Sequence, residues 1–246
     1  MIRLYTFPAS LKGTPNPSLF CVKLETALRL AGVPHEVWYE MDPSNGPKGK
    51  LPFIEMEGER IGDSTLILYR LKEKLGVDLD RGLDETEKAQ SHMIQRLVEE
   101  HLYWAIVHSR WADEANWPAV RRALFVGMRF PLSVIVPRSA RRGMRAALHA
   151  QGIGRHSSEE IYDLGARDLS ALSILLGEKD FFFGDKPTLA DVSVFACLIN
   201  IVGPDLTSPL KEAVLRHENL VRHTERMGEL HAAKRQRRKI ELTLAA

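Results

Sequence analysis

The hydrophobic pattern of this chain changes character once, near residue 77, and that switch limits the available folds more than any single motif. Before it, alternating runs and helix-period runs take turns, as in an α/β unit. After it, every periodic run has helical spacing. Residues 2–7 read as a strand, followed by a loop rich in Gly, Pro and Ser over 8–17. From Ser18, Phe20, Leu24, Leu28 and Ala31 recur at helical spacing, and Gly32 with Pro34 closes that helix. Val37, Tyr39 and Met41 alternate as in a strand. Beyond a turn over 42–49, residues 52–56 and Arg60-Ile61 predict a hairpin around Glu57-Gly58-Glu59. Asp63-Ser64 offers an N-cap to a helix with the stripe Ile67, Leu71 and Leu75, which ends at Gly76. The order is β-α-β-loop-β-β-α, and residues 1–77 read as one domain.

Residues 78–84 read as a polar, acidic linker, and 85–230 as an all-helical domain. Its first helix is long, with Met93, Leu97, Trp104, His108 and Trp111 expected on one face. Further helices are predicted around 118–126, 139–150, 158–176, 189–201 and 209–227. Residues 231–246 form a basic tail with Lys234, Arg235, Arg237, Arg238 and Lys239. Such a tail is a solvated end, or it touches acidic phospholipid or nucleic acid.

Composition narrows the class. With 44% hydrophobic and 27% charged residues the chain has ordinary globular make-up. A net charge of +2 argues against a nucleic-acid binder acting through its overall field. Two cysteines, Cys21 and Cys197, form no disulfide framework, and no Cys/His cluster predicts zinc or another metal. Residues 1–8 hold no apolar run of signal-peptide length. The apolar stretch 124–137 is interrupted by Arg129 and Pro131 and falls short of the about 20 residues a spanning helix needs. A soluble, cytoplasmic protein is expected.

Four phrases carry a family resemblance: Pro17-Ser18-Leu19-Phe20-Cys21-Val22-Lys23, Lys48-Gly49-Lys50-Leu51-Pro52-Phe53-Ile54, Ile61-Gly62-Asp63-Ser64, and Gly184-Asp185-Lys186-Pro187-Thr188-Leu189-Ala190-Asp191. In this order and spacing they resemble the glutathione-transferase superfamily. Longer phrases at 21–32, 99–111, 150–156 and 184–191 are most similar to its branch of failed-axon-connections proteins and metaxins, which includes membrane-associated and import-related members. The resemblance covers the chain to about Met227. It implies an α/β thioredoxin-like N-terminal domain that holds glutathione, an all-α C-terminal domain, and a homodimer. It also implies that the glutathione thiolate attacks a small electrophile, with a non-catalytic binding or scaffold protein of the same fold as the alternative.

Each candidate residue has two readings. Ser18, at a helix N-terminus, is an N-cap, or a hydroxyl donor to the glutathione thiolate, and the two are compatible. The resemblance implies a cis bond at Leu51-Pro52, which would turn the Leu51 backbone outward to pair with glutathione; Pro52 is otherwise a common first residue of a strand. Asp63 and Ser64 form a helix cap, and they also suit the ammonium and carboxylate of the γ-glutamyl end. Lys50 is a solvated lysine or a partner for the glycyl carboxylate. Tyr103, Trp104, His108 and Trp111 are core, or walls of a second-substrate pocket. Near Ser18, Tyr5 is read as packing, Asn16 as a further donor, and Cys21 as a small buried residue or a site of mixed disulfide. Thr188 with Asp191 has capping-box spacing and a structural role.

Overall fold

A computed structural model describes residues 1–233. Four strands, β1 (Ile2–Thr6), β2 (His35–Tyr39), β3 (Phe53–Met56) and β4 (Glu59–Gly62), form one sheet in the order β2-β1-β3-β4. β1 and β2 are parallel and the other two pairs antiparallel. The parallel pair is joined by α1 (Leu19–Leu30), which buries Leu24, Ala27 and Leu28 against the sheet. Gly32, at φ +67°, ends that helix in the left-handed region that Gly occupies without strain. The hairpin turns at Glu57-Gly58, both with positive φ. α2 (Ser64–Leu75) covers the sheet with Ile67, Leu68 and Leu71 and stops at Gly76. This is the order expected from the sequence.

The helical domain begins at α3 (Glu85–Arg96), whose Asp84 and Glu87 form a reciprocal capping box. The helix runs on without a break through a π-helical stretch (Leu97–Leu102), α4 (Tyr103–Val107) and a second π-helical stretch (His108–Ala112). The buried face is not the expected one. Met93 is 68% exposed, while Ile94, Val98, Leu102 and Ile106 are buried. A repeat of four drifts around a helix of 3.6 residues per turn. Widened π turns absorb the extra residue and keep this line facing the core.

α5 (Trp117–Leu124), α6 (Leu132–Gln151), α7 (Ser158–Leu176), α8 (Leu189–Val202), α9 (Pro209–Leu215) and α10 (Glu218–Ala233) follow. α6 starts earlier than its pattern predicted and includes Pro137. The helix expected over 209–227 is two helices, parted at Arg216-His217. α8 is the centre of the domain: Val192, Val194, Phe195, Leu198 and Ile201 are all buried. It packs against α1, so the two domains share a continuous core. α10 includes His231, which is buried against α1: its ring meets the Thr26 hydroxyl at 2.8 Å and its carbonyl accepts from Arg29 at 2.6 Å. The rest of the expected basic tail, Lys234 onward, lies outside the described residues. Among the described residues no helix is long and apolar enough to cross a membrane.

Candidate active site

Strand register brings the predicted residues to one end of the sheet. The pair Phe53↔Gly62 sets Pro52, which precedes Phe53, beside Asp63, which follows Gly62. Tyr5↔Phe53 places the end of β1 there too. The Leu51 side chain packs on Cys21, in the first turn of α1. Lys23 ties α1 to the start of α2 by donating to the Thr65 hydroxyl at 2.9 Å. Ser18, Leu51-Pro52 and Asp63-Ser64 therefore lie at one end of the sheet, where α1 and α2 both begin.

The groups available there are polar and unspent. The Leu51-Pro52 bond is cis, and neither the Leu51 amide nor its carbonyl has a partner among the described residues. Asp63 caps α2, its Oδ1 accepting from the amides of Thr65 at 2.9 Å and Leu66 at 3.1 Å. It does so at φ +79°, a conformation rare for a residue with a side chain and one that sites retain when the surroundings impose it. Its carboxylate is exposed, and its second oxygen accepts no hydrogen bond among the described residues. Ser64 is 4% exposed, and its amide and hydroxyl, at the positive end of α2, have no partner among the described residues. Lys50, which precedes Leu51, stands in solvent.

Ser18 is the N-cap of α1. Its hydroxyl oxygen accepts from the Cys21 amide at a long 3.4 Å, and its O–H lies by the Cys21 thiol, a weak acceptor that a thiolate would replace. The neighbours are committed elsewhere. Asn16 is buried: it donates to the Thr6 hydroxyl at 3.0 Å and the Phe7 carbonyl, and it accepts from the Ser18 amide at 3.0 Å. It holds the loop rather than facing a ligand. Tyr5 stacks on Phe53 and donates to Glu55 at 3.1 Å, and burial with that carboxylate raises its pKa. Cys21 is fully buried, and burial pushes its thiol up, away from the reactive thiolate. This is the buried-residue reading of Cys21.

The four aromatic positions divide. Tyr103 meets Phe20 of α1 and Trp104, each at 5.2 Å between ring centroids, on the side of the domain junction. His108 is buried beside Tyr162 and pairs with the Ser158 hydroxyl at 3.1 Å; burial lowers its pKa. Trp111 packs with Trp117 and Phe125. Two residues were missed from sequence. Phe20 adjoins Ser18, and Arg110 fixes it from behind: its guanidinium donates to the Pro17 carbonyl at 2.6 Å and to Asn200 at 2.7 and 2.8 Å. Burial pulls the Arg110 pKa down to about 10, so it stays charged near neutrality. A lone arginine on a helix gives no local sign of such a contact. No group of His, Cys, Asp and Glu among the described residues is arranged to hold a metal ion.

A thioredoxin-like sheet with an unpaired peptide edge beside two helix N-termini, joined to a helical domain, defines a glutathione-transferase architecture. Residues 19–116 match the model of the glutathione S-transferase N-terminal domain, and 165–227 that of the C-terminal domain. The chain belongs to the glutathione S-transferase family. It is 36% identical over 230 residues to Failed axon connections of Drosophila melanogaster, covering 87% of this chain and 54% of that protein, so it spans about half of that relative's length. It is 33% identical over 208 residues to the isoprene-epoxide–glutathione S-transferase of Rhodococcus sp. strain AD45, covering 82% of this chain and 87% of that one. Metaxin-1 of Mus musculus is 29% identical over 214 residues, covering 83% and 67%. A glutathione S-transferase of Ceriporiopsis subvermispora, solved with glutathione, shares the fold at a TM-score of 0.63 and 18% identity, covering 93% and 97%.

Proposed function

We propose that this protein conjugates glutathione to a small electrophile, in the cytoplasm and as a homodimer. The observation that carries this reading is the convergence of Ser18, Leu51 and Asp63-Ser64 at one end of the sheet. Leu51 pairs with the peptide backbone of glutathione, Ser64 holds the γ-glutamyl carboxylate on the α2 N-terminus, and Asp63 holds the ammonium. Lys50 meets the glycyl carboxylate. That seat directs the thiol to Ser18, where a hydroxyl and the α1 N-terminus favour the anion. The thiol proton leaves to solvent. The thiolate then forms the carbon–sulfur bond as the electrophile's carbon–halogen or epoxide carbon–oxygen bond breaks, or as an enone's π pair moves to its oxygen. The displaced anion leaves to solvent or takes a proton from it, with Tyr103 and Trp104 walling the electrophile. An isoprene-epoxide–glutathione S-transferase among the relatives supports a transferase.

Ser18→Ala is expected to lower kcat/KM for conjugation on the order of 100-fold, the usual cost of one donor to a developing anion. The pH–rate profile moves up by about one unit or more, since each unit is about 1.4 kcal/mol of lost thiolate stabilisation. Asp63→Ala instead raises KM for glutathione roughly tenfold, through a lost charged contact, with no shift of the profile. Stopped assays over a set of aryl halides, epoxides and enones check both. A rate and profile that Ser18→Ala leaves unchanged would remove Ser18 from the mechanism.

A second reading, a non-catalytic binding protein, is favoured by the resemblance to Failed axon connections and Metaxin-1. Glutathione bound at millimolar levels or below, with no turnover of any electrophile class, would select it.

A further inference from the structure

Between Glu114 and Glu159 the chain has eight arginines and no lysine, aspartate or glutamate, although its overall charge is only +2. α5 and α6 gather Arg121, Arg138, Arg141, Arg142 and Arg145 with Trp117 around an open groove of about 410 Å³. Arg121 donates to the Ser133 carbonyl at 3.1 Å, and Arg141 is the most firmly fixed. It lies 4.9 Å from the centre of the Trp117 ring, donates to the Trp111 carbonyl at 2.8 Å and pairs with Glu114 at 2.8 Å. Arg145 reaches Glu114 only at 3.8 Å, and Arg138 and Arg142 have no hydrogen bond or ion pair among the described residues.

Apolar side chains stand beside these cations instead of being buried. Val126 is 71% exposed, Phe130 85%, Leu132 57% and Ile135 57%. Ile135, Arg138, Arg142 and Arg145 recur every three or four residues, so they share one outward stripe of α6. Arginines next to an exposed aromatic and aliphatic end are what a helix lying in a lipid headgroup layer presents. A second copy of this chain would bring the same positive face and be repelled. An anionic bilayer meets both halves of the patch: headgroups take the guanidinium groups, and the acyl boundary takes the apolar end.

We propose that the α5–α6 face docks on the surface of an anionic lipid bilayer. Val126, Phe130, Leu132 and Ile135 enter the acyl boundary, and Arg129, Arg138, Arg142 and Arg145 sit among the phosphates.

The test is sedimentation of the full chain with vesicles of phosphatidylcholine, alone or mixed with phosphatidylglycerol. The protein sediments with the mixed vesicles only, and less as salt is added. Arg138→Gln/Arg142→Gln/Arg145→Gln lowers partitioning on the order of 100-fold, and Phe130→Ser/Leu132→Ser about tenfold. All five positions are exposed, and thermal melts matching the parent show that the fold is kept. A full chain with Lys234, Arg235, Arg237, Arg238 and Lys239 replaced by Gln still sediments. The proposal is overturned by equal recovery with both vesicle types, or by binding that only the tail substitutions remove. Self-association that Phe130→Ser abolishes, without vesicle binding, overturns it too, as does binding fully displaced by free glycerol phosphate and unaffected by Phe130→Ser/Leu132→Ser. None of these readouts involves glutathione, so the conjugation reading stands or fails separately.

Discussion

Replacing Asp191 with alanine is expected to remove about 4 kcal/mol of stability, a large part of the 5–15 kcal/mol that holds a typical protein folded. Asp191 is fully buried and accepts four hydrogen bonds. Its Oδ2 takes the Thr188 amide at 2.8 Å and hydroxyl at 2.7 Å; its Oδ1 takes the Phe182 amide and His223 Nε2, each at 2.9 Å. Alanine leaves these donors buried without a partner, at about 1–3 kcal/mol each before relaxation. Because the His223 Nδ1 has no partner among the described residues, His223 has no second bond there to fall back on. The Asp191 cap starts α8, the helix on which both domains pack, so the damage is global rather than a frayed end. Urea unfolding should show a lower midpoint at unchanged slope. Asp191→Asn keeps acceptors for part of the network and should lose about half as much. A midpoint within error of the parent would mean that the cap does not hold α8.

Lys23→Met is the second large effect, about 3 kcal/mol, because it removes the fully buried one of the two cations that neutralise the Glu99 carboxylate. Lys23 Nζ lies 2.7 Å from Glu99 Oε1, with both side chains almost wholly buried where the two domains meet. Glu99 is also held by the Ser193 hydroxyl at 2.7 Å and by Arg96 at 2.5 Å. Burial lowers the Lys23 pKa while the Glu99 charge raises it, so charge without its partner is what this site does not tolerate. The double replacement Lys23→Met/Glu99→Leu removes both charges, leaves Arg96 able to reach water, and should recover most of the loss. A thermal melt some 10 °C below the parent for Lys23→Met, and near the parent for the pair, checks it. Additive losses would contradict the coupling.

Local signals carried most of the fold. Ser18, Asp63 and the Thr188/Asp191 pair were legible as caps because a cap is written within four residues of the helix it starts. Gly32 and Gly76 marked helix ends for the same reason. What the sequence hid was set by contacts distant along the chain. Lys23 and Glu99 look like ordinary surface charges until the domains meet. Arg110 reaches back to Pro17 across the domain junction, and no spacing announces that. The buried line of the long helix starts at Ile94 rather than Met93, a choice of face that tertiary packing makes, and the π-helical stretches carry it on through Val98 and Leu102. The same limit applied at the site. Ser18, Leu51 and Asp63 could each be named from a motif, but their meeting at one end of the sheet depends on the Phe53↔Gly62 register.

That meeting is the central claim, and a crystal structure of the chain grown with millimolar glutathione examines it most directly. The tripeptide should pair its backbone with Leu51, set its γ-glutamyl carboxylate on the Ser64 amide and hydroxyl, and bring its sulfur within hydrogen-bonding distance of the Ser18 hydroxyl. Glutathione absent at that concentration, or seated with its sulfur away from the start of α1, would contradict the account.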